Sequence, residues 1–566
     1  MALVAVFLSS RTEMMQENQK HWPAKLNIWL PLLLAVVLVT GMLIGMRLQS
    51  EAPRVVDLQD NSLLTPQSYS KIEELMRYIE AKYVDEVDRD KLIDEAIANL
   101  LKQLDPHSVY FSAEQLASVN VQLEGNFNGI GVEFMILDDT VTVVAPLSGG
   151  PAESAGILAG DKIIEAGDSV IAGVGITSNG VIKLLSGDKG SKVSLGIRRG
   201  NETTLRRFTL ERAPIPVHSV DVAYMLDDET GYIKINRFSA KTYEEFMQGL
   251  ETLVEKNKMK DLVIDLRQNP GGYLQQATNI LSQLFRDKNK LLVYTEGRSV
   301  HRNDYESTGR AFFEVRNIAV LIDEGSASAS EILAGALQDH DRAQIIGRRS
   351  FGKGLVQEQY SLRDGSALRL TVARYYTPSG RSIQKPYSDR GEYEHDFLSR
   401  LESGELSGNG QIAVQDSTKY YTEKGRIVYG GGGITPDVFV PIDTTALSDY
   451  YFRLRQLAPQ FVFKYVQNHR ADFNYASIGQ FKNNFRISDA LLTDFVAYAT
   501  QNGVLNPTDA SEELRKINAP LRHYLKASFG QNLFDREGFY AVWNETDPMV
   551  RKALQTLRQP NPITRQ

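Results

Sequence analysis

The stretch that decides the fold runs from residue 317 to 347, NIAVLIDEGSASASEILAGALQDHDRAQIIG. It opens with a short apolar run, continues through serines that alternate with alanines, and then shows a helical apolar pattern before a second apolar run. Two strands joined by a helix in this way predict a mainly parallel sheet that is covered on both faces. Ligands of such sheets gather at the carboxyl ends of the strands, and the serines lie there.

The segments on either side repeat this alternation, so we predict an α/β domain over residues 213–442. TGYIKINRFS at 230–239 predicts a strand before a helical pattern, and DLVIDLRQNPGG at 261–272 predicts a strand that ends in a glycine turn. Residues 388–431 are polar, charged and rich in tyrosine, and we interpret them as an insertion within this domain.

Three further regions surround the α/β domain. Residues 116–212 contain short apolar runs punctuated by glycine, which predict a small β-rich module. Residues 55–115 carry apolar side chains at helical spacing, and residues 443–566 predict a helical extension without a catalytic-looking cluster. The predicted fold class is therefore multi-domain, α/β and β, with helical regions at both ends.

Residues 26–46, LNIWLPLLLAVVLVTGMLIGM, carry no charge and have the length of a membrane-spanning helix. RLQSEAPR follows without a convincing cleavage site, so we predict an uncleaved anchor after an N-terminal tail of residues 1–25. Uniform apolarity over this length argues against a buried core helix. The lysine and arginine bias favours a cytoplasmic N-terminus, which predicts a single-pass inner-membrane protein whose remaining residues lie on the periplasmic or extracytoplasmic side.

Composition excludes several classes of function. The formal net charge is −7, so a nucleic-acid partner has no electrostatic support. The absence of cysteine excludes disulfides, thiolate metal sites and a cysteine nucleophile. No metal-ligating cluster is visible in the sequence, and we expect neither a metal nor a cofactor.

The alternating serines need a partner before they can do chemistry, because a serine hydroxyl is a poor nucleophile until a base takes its proton. None of the eight histidines lies in a motif that indicates a triad, and the serines form no G-x-S-x-G elbow. A desolvated lysine is the remaining base, and Lys353 lies between Gly352 and Gly354. Residues 347–353 also match the start of a phosphate-binding loop, but Gly354 stands where serine or threonine would ligate magnesium.

Two segments, SASASEILAGALQD at 326–339 and SFGKGLVQ at 350–357, resemble the active-site signature of the carboxyl-terminal processing proteases. This is a serine peptidase family that uses a Ser-Lys pair. DLRQNPGG, GYIKINRFS, LTVARYYTPSGRSI and GITPDV resemble further blocks of the family, over roughly residues 66–385 and 430–442. The resemblance implies a crotonase- or ClpP-like protease domain. It places the nucleophile at Ser328, the general base at Lys353 and the residue that orients the lysine at Gln357.

The same resemblance implies an oxyanion hole beside the nucleophile. Backbone N–H groups at Ala329 and at the turn of Gly271 and Gly272 would bind the tetrahedral oxyanion. The sequence leaves open which of the two glycines donates.

Four other polar residues of the signature fit supporting roles. Ser326 and Ser330 fit a turn or a helix cap better than a second nucleophile. Glu331 and Asp339 match carboxylates of the family signature, which would pair with arginine or cap the helix.

The β-rich module resembles a PDZ domain in GIGV, GPAESAGILAGDKI and IRRG. GIGV alone fits a glycine-rich strand entry equally well. The resemblance implies that its backbone N–H groups bind a peptide carboxylate, while the strand edge accepts an extended peptide. The residues of this loop are Gly129, Ile130, Gly131 and Val132.

The leading hypothesis is a membrane-anchored serine endopeptidase that cleaves extracytoplasmic proteins and captures their accessible C-termini through the PDZ-like module. The competing hypothesis is a catalytically inactive, membrane-tethered PDZ scaffold, which would need neither Lys353 nor Gln357. A crotonase-type acyl-CoA enzyme is a third alternative, although nothing in the sequence indicates a CoA site. Homo-oligomer formation, the natural substrates and gating of the site by the PDZ-like module stay open.

Overall fold

A computed structural model describes residues 66–410, 416–443, 448–504 and 510–559. The predicted N-terminal tail and membrane span, residues 1–46, lie outside these ranges. Among the helices that are described, none combines the length and the apolar composition that a membrane crossing requires. The described part of the chain divides into two compact units, with the boundary between residues 92 and 93.

The described chain opens with the two predicted helices, α1 (Pro66–Lys82) and α2 (Arg89–Lys102). A short strand, β1 (Val109–Phe111), and helix α3 (Ala113–Glu124) follow. Strand β1 lies within the predicted N-terminal helical region, residues 55–115, and it pairs with residues 367–369 of the protease domain. Such pairing joins residues more than 250 positions apart, and a local pattern carries no information about it.

The predicted β-rich module is confirmed as a twisted antiparallel sheet with two helices, α4 (Pro151–Ser154) and α5 (Ser178–Leu185). Its apolar core is formed by alternate strand residues and the inner face of α5. In the sheet the order is β3-β4-β5-β7-β8, β6 pairs with β5, and β2 pairs with β9 outside the sheet. The strands are β2 (Asn126–Gly129), β3 (Val132–Leu137), β4 (Thr140–Pro146), β5 (Lys162–Ala166), β6 (Ser169–Val170), β7 (Lys192–Arg198), β8 (Arg206–Glu211) and β9 (Ala213–Pro216).

The α/β domain is built on a six-stranded sheet with the order β10-β11-β12-β15-β16-β21. Strands β10 and β11 are antiparallel and every other pair is parallel, as the alternating pattern predicts. The central strands are completely buried, which explains their unbroken apolar runs. The strands are β10 (Val220–Met225), β11 (Thr230–Ile235), β12 (Asp261–Asp265), β15 (Ile318–Ile322), β16 (Ala343–Gly347) and β21 (Val438–Phe439).

Three helices cover one face of this sheet: α6 (Thr242–Glu251), α7 (Leu274–Leu284) and α8 (Ala329–Asp339). A π-helical turn, Thr252–Lys256, follows α6. All residues of α8 are buried, because it lies between the main sheet and a second, antiparallel sheet. The strands of that sheet are β1, β13 (Lys288–Glu296), β14 (Asn303–Thr308), β17 (Leu355–Ser361) and β18 (Ala367–Tyr376).

The region interpreted as an insertion, residues 388–431, is packed into the protease domain. Its described part contains α9 (Arg390–Glu394), α10 (Asp396–Glu402) and the hairpin of β19 (Asp416–Tyr421) and β20 (Ile427–Gly430). A buried ion pair of 2.8 Å joins its Glu405 to Arg349, which precedes the lysine loop.

The C-terminal region is helical, as predicted, but it is not a separate appendage. Its last helix supplies the second face of the main sheet, where Met549, Val550 and Ala553 pack against Val263 and Leu321. A parallel sheet needs both faces covered, and here the chain meets that need with a helix far from the sheet in sequence. The helices are α11 (Asp449–Asn468), α12 (Ile478–Asn484), α13 (Asp489–Gln501), α14 (Ala510–Trp543) and α15 (Pro548–Leu557), with a 3-10 turn at Arg470–Asp472.

Candidate active site

Ser328 lies at the sharp turn between strand β15 and helix α8. Its backbone has φ 56° and ψ −115°, a conformation that an L-residue adopts only when its surroundings impose it. The turn of Gly271 presses against it, since a Cβ added to Gly271 would lie 2.7 Å from the Ser328 Cβ atom. The serine that the sequence singles out is therefore the strained and half-exposed residue of this corner.

The two flanking serines hold the corner together. The Ser326 hydroxyl donates to the Leu266 carbonyl oxygen at 2.9 Å, and the Ser330 hydroxyl donates to the Asn269 carbonyl oxygen at 3.0 Å. Both side chains are fully buried. These contacts agree with the expectation that neither serine is a second nucleophile, and they join the serine corner to the glycine turn.

The hydrogen bonds of the backbone N–H groups show which of the predicted oxyanion-hole donors are free. The Gly271 N–H donates to the Asn269 side-chain oxygen at 2.9 Å, so it is already used. Within the described residues, the N–H groups of Gly272 and Ala329 have no protein acceptor. Gly272 has φ 144°, and a Cβ there would lie 2.1 Å from the Phe238 carbonyl oxygen, so only glycine fits. The geometry therefore favours Gly272 over Gly271 as the partner of Ala329.

Lys353 lies in the loop that leads into strand β17. Its Nζ atom donates to Gln357 Oε1 at 2.9 Å, and Gln357 Nε2 donates to the His107 carbonyl oxygen. Burial lowers the pKa of Lys353 to about 8, and the charge of Arg369 adds to this effect. Among the described side chains, no hydrogen bond joins Lys353 Nζ to Ser328 Oγ.

Glu331 connects the serine corner to the lysine loop. Its Oε2 atom accepts from the N–H groups of Ser328 and Lys353, both at 2.8 Å. Its Oε1 atom accepts from Ser350 Oγ at 2.5 Å and from the Gly352 N–H at 2.7 Å. The carboxyl is completely buried, and it forms no ion pair with any side chain in the described part of the chain. Burial raises its pKa to about 7. It caps the helix, which is one of the two expected roles.

Tyr375 makes a second connection between the same segments. Its buried hydroxyl lies 3.1 Å from the Ser328 carbonyl oxygen and also contacts the Lys353 carbonyl oxygen. Neither this contact nor that of the His107 carbonyl group was predicted from the sequence. Tyr375 lies in the motif LTVARYYTPSGRSI and His107 in residues 104–108, LDPHS, but neither stretch indicates what its groups contact. Asp339 takes the other expected role, with a buried 2.7 Å ion pair to Arg381.

The predicted carboxylate-binding loop belongs to the β-rich module and lies at the start of its edge strand, β3. Gly131 has φ 73°, and the carbonyl oxygens of Ile130 and Gly131 accept from Ala152 and Leu147 at 2.9 Å. In the described chain, the N–H groups of Ile130 and Gly131 have no protein acceptor. The loop therefore offers the free donors that a peptide carboxylate needs.

Family comparisons agree with this domain organisation. Residues 229–389 match Peptidase family S41, and residues 128–209 match the PDZ domain family. Residues 36–115 match a family described as the activating protease CtpB N-terminal domain, and residues 450–535 match a family of unknown function.

Curated relatives decide the family. A carboxy-terminal-processing protease of Bartonella bacilliformis is 38% identical over 331 residues, which are 57% of this chain and 74% of that protein. The chain belongs to the carboxy-terminal processing proteases. The carboxy-terminal processing protease CtpB of Bacillus subtilis is also 38% identical, over 318 residues that are 56% of this chain and 65% of the relative. This protease is therefore a serine peptidase of family S41 with a PDZ domain.

Solved structures of related proteins also match. One is a photosystem II D1 C-terminal processing protease, 26% identical, which covers 67% of this chain and 94% of its own with a TM-score of 0.34. Another is the PDZ domain of a carboxy-terminal protease from Vibrio cholerae in complex with a peptide. It is 33% identical and covers 16% of this chain and 97% of its own, with a TM-score of 0.15.

Proposed function

We propose that this carboxy-terminal processing protease is a membrane-anchored endopeptidase that cleaves extracytoplasmic proteins with Ser328 as nucleophile and Lys353 as general base. The observation that carries the proposal is the shared carboxylate of Glu331. Because it binds the backbone N–H groups of Ser328 and Lys353 on one oxygen, it holds the two segments side by side.

The proposed reaction begins when Lys353 Nζ accepts the Ser328 hydroxyl proton while Oγ bonds to the carbonyl carbon of the scissile peptide. Glu331 binds the backbone N–H groups of both residues, which supports an approach of the Lys353 side chain to Oγ. The N–H groups of Ala329 and Gly272 stabilise the oxyanion. The ammonium then gives its proton to the leaving amine, and water hydrolyses the acyl-enzyme by the reverse sequence.

The lowered pKa of Lys353 supports this role. An ordinary lysine is almost entirely protonated at neutral pH and cannot accept a proton. With a pKa of about 8, roughly a tenth of the amine is free at pH 7. Gln357 binds the amine without adding a negative charge that would favour the ammonium form.

We propose further that the PDZ domain binds the free C-terminus of a substrate through Gly129–Val132. The free N–H groups of Ile130 and Gly131 and the open edge of β3 support this assignment. The apolar span at 26–46 supports an anchor in the inner membrane, with the protease on the extracytoplasmic side.

The test is to compare the full-length protein, purified in detergent, with Ser328→Ala and Lys353→Ala on an unfolded protein substrate. We expect cleavage by the parent only. Equal cleavage by all three would disprove the assignment, and a folded parent without activity would favour the PDZ scaffold.

The PDZ assignment is tested with two peptides that differ only in a C-terminal carboxylate or carboxamide. We expect the parent to prefer the carboxylate, and Gly131→Ala to lose this preference because alanine is strained at φ 73°. An unchanged preference would contradict the assignment of the PDZ domain as the carboxylate-binding module.

The topology is tested by labelling intact cells with a reagent that does not cross the membrane. The labelling of the N-terminus is compared with the labelling of a loop on the extracytoplasmic side.

A further inference from the structure

The amide of Gln357 lies between two partners of different chemistry. Its Oε1 atom accepts from Lys353 Nζ at 2.9 Å, and its Nε2 atom contacts the backbone carbonyl oxygen of His107. A carbonyl oxygen only accepts hydrogen bonds, so it requires the NH₂ end of the amide. The His107 carbonyl therefore determines which end of Gln357 faces the lysine.

The orientation of this amide decides how Lys353 presents its amine. A neutral amine has two N–H donors and one lone pair. When Gln357 offers its oxygen, the amine uses an N–H there and keeps the lone pair for the Ser328 proton. If the amide turned over, its NH₂ group would occupy that lone pair, and Lys353 would lose its ability to act as a base.

The position of the His107 carbonyl is fixed by its own segment. Asp105 accepts from the His107 N–H at 2.8 Å, from the Ser108 N–H at 2.8 Å and from the Ser108 hydroxyl at 2.6 Å. Thr371 of strand β18 donates its hydroxyl to Asp105 and its N–H to Ser108 Oγ, both at 3.1 Å. Strand β1 continues this attachment, since Val109 pairs with Arg369.

The His107 ring is held on its other side. Its Nε2 atom lies 2.5 Å from the Tyr393 hydroxyl, and the ring packs edge-on against Phe351 and Tyr393. Burial, together with the charge of Lys353, lowers the pKa of His107 to about 4. The ring is neutral at working pH and adds no charge beside the lysine.

We propose that residues 105–108 form a positioning element of the active site, in which the His107 carbonyl fixes the orientation of Gln357 and so keeps the Lys353 lone pair available to Ser328. The element precedes the PDZ domain in sequence, so the protease site is incomplete without the N-terminal region. This inference rests on the roles proposed above for Ser328, Lys353 and Gln357.

The test uses Ser108→Ala in the full-length protein. This change removes the hydroxyl that donates to Asp105 and accepts from the Thr371 N–H, and it leaves every residue of the Ser-Lys-Gln set in place. We expect kcat to fall at least tenfold with little change in KM. We also expect the rate at which a fluorophosphonate labels Ser328 to fall in parallel, and Ser108→Thr to restore most of both.

The matched control is Ser112→Ala, four residues further on. Ser112 caps helix α3 and does not touch the segment that holds Gln357. We expect it to lower the melting temperature without changing kcat. For both variants, activity is divided by the concentration of folded protein. A loss of kcat that is caused by mispositioning is then distinguished from a loss that is caused by unfolding.

A second variant examines the amide itself. Gln357→Glu replaces the NH₂ group that faces the His107 carbonyl with an oxygen, and its charge favours the ammonium form of Lys353. We expect the rising limb of kcat/KM to move to higher pH, whereas Ser108→Ala lowers the plateau of the profile. The groups that set this profile are Lys353, Glu331, Asp105 and Arg369.

A folded Ser108→Ala protein with the parental kcat and labelling rate would overturn the inference, as would an equal loss of kcat in Ser112→Ala. Failure of the proposed function gives a different result, because the parent would then be no faster than Ser328→Ala. That result would remove both proposals.

Discussion

The serine corner and the lysine loop reach the same site by different means. Ser328 is fixed by the strand and helix that flank it and by the neighbouring glycine turn, through buried backbone contacts. The loop of Lys353 is fixed by groups from distant parts of the chain, which include Glu331, Tyr375 and Gln384. The proposed nucleophile is therefore part of the core of the protease domain, whereas the proposed base is positioned by tertiary contacts.

The serine corner and the lysine loop also differ in how deeply the neighbouring elements are buried. Every residue of helix α8 is buried, while strand β17 after the lysine loop is half-exposed, with Glu358 and Gln359 in solvent. A half-exposed strand with few core contacts opens more readily than a buried helix. We therefore expect the lysine loop and strand β17 to change conformation more readily than the serine corner and helix α8.

The largest expected effect is the loss of either reacting side chain. Ser328→Ala and Lys353→Ala should each lower kcat by roughly four orders of magnitude, because the residues act as a unit. The double variant should be no slower than either single one. Steady-state hydrolysis of a peptide checks this, and an additive double effect would show that the two residues act independently.

The next largest effect concerns Glu331, which links the segment of Ser328 to the segment of Lys353. Glu331→Gln replaces one carboxylate oxygen with an NH₂ group, so either the N–H groups of Ser328 and Lys353 or the N–H group of Gly352 lose their acceptor. A lost hydrogen bond to a charged group costs about 2 kcal/mol, or roughly 30-fold in kcat. Glu324→Gln is the control, because that carboxylate pairs with Arg348 and touches neither segment. Equal activity of the two variants would contradict the linking role.

The same residue gives a stability prediction. Since burial raises the Glu331 pKa from 4.5 to about 7, the folded protein binds more protons than the unfolded protein between these values. This contribution is complete below pH 4.5 and is lost as pH rises through 7. Urea unfolding at pH 5 and pH 7.5 should show a smaller pH dependence for Glu331→Gln than for the parent.

A smaller effect concerns the pKa of Lys353 and the charges that shift it. The kcat/KM value should rise with pH and level off above about 8, because only the neutral Lys353 accepts a proton. Arg369→Gln removes a like charge that lowers this pKa, so the limb should move to higher pH and activity at pH 7 should fall several-fold. A pH–rate profile measures both, and an unmoved limb would contradict the influence of Arg369.

The smallest expected effect lies on the serine side. Arg267, near the glycine turn, binds Asp547 at 2.6 Å, and Asp547 caps helix α15. Asp547→Asn keeps the cap but removes the charge, and we expect a loss of stability of about 1 kcal/mol. The kcat value should change less than about threefold, or under ~0.7 kcal/mol, because many other bonds hold the corner. If Asp547→Asn lowered kcat more than Ser108→Ala does, the serine corner would be the more sensitive side of the site, contrary to our expectation.

The sequence predicted the elements that depend on local pattern. Unbroken apolar runs alternating with helical patterns predicted the parallel strands, and glycine-punctuated runs predicted the β-rich module. The resemblance of its motifs indicated a PDZ domain. The motif resemblance placed Ser328, Lys353 and Gln357, and the structure brings the last two into contact.

By itself, then, the sequence determined the strands and helices and the chemical types at the site, because hydrophobic periodicity and short motifs act over a few residues. Only the tertiary structure decided that Gly272 and not Gly271 is free to donate, that β1 and α15 complete the protease domain, and that Glu331 joins the segments of Ser328 and Lys353. Each of these depends on which of several possible hydrogen-bond partners or sheet faces a distant segment occupies, and that choice is made when the chain packs.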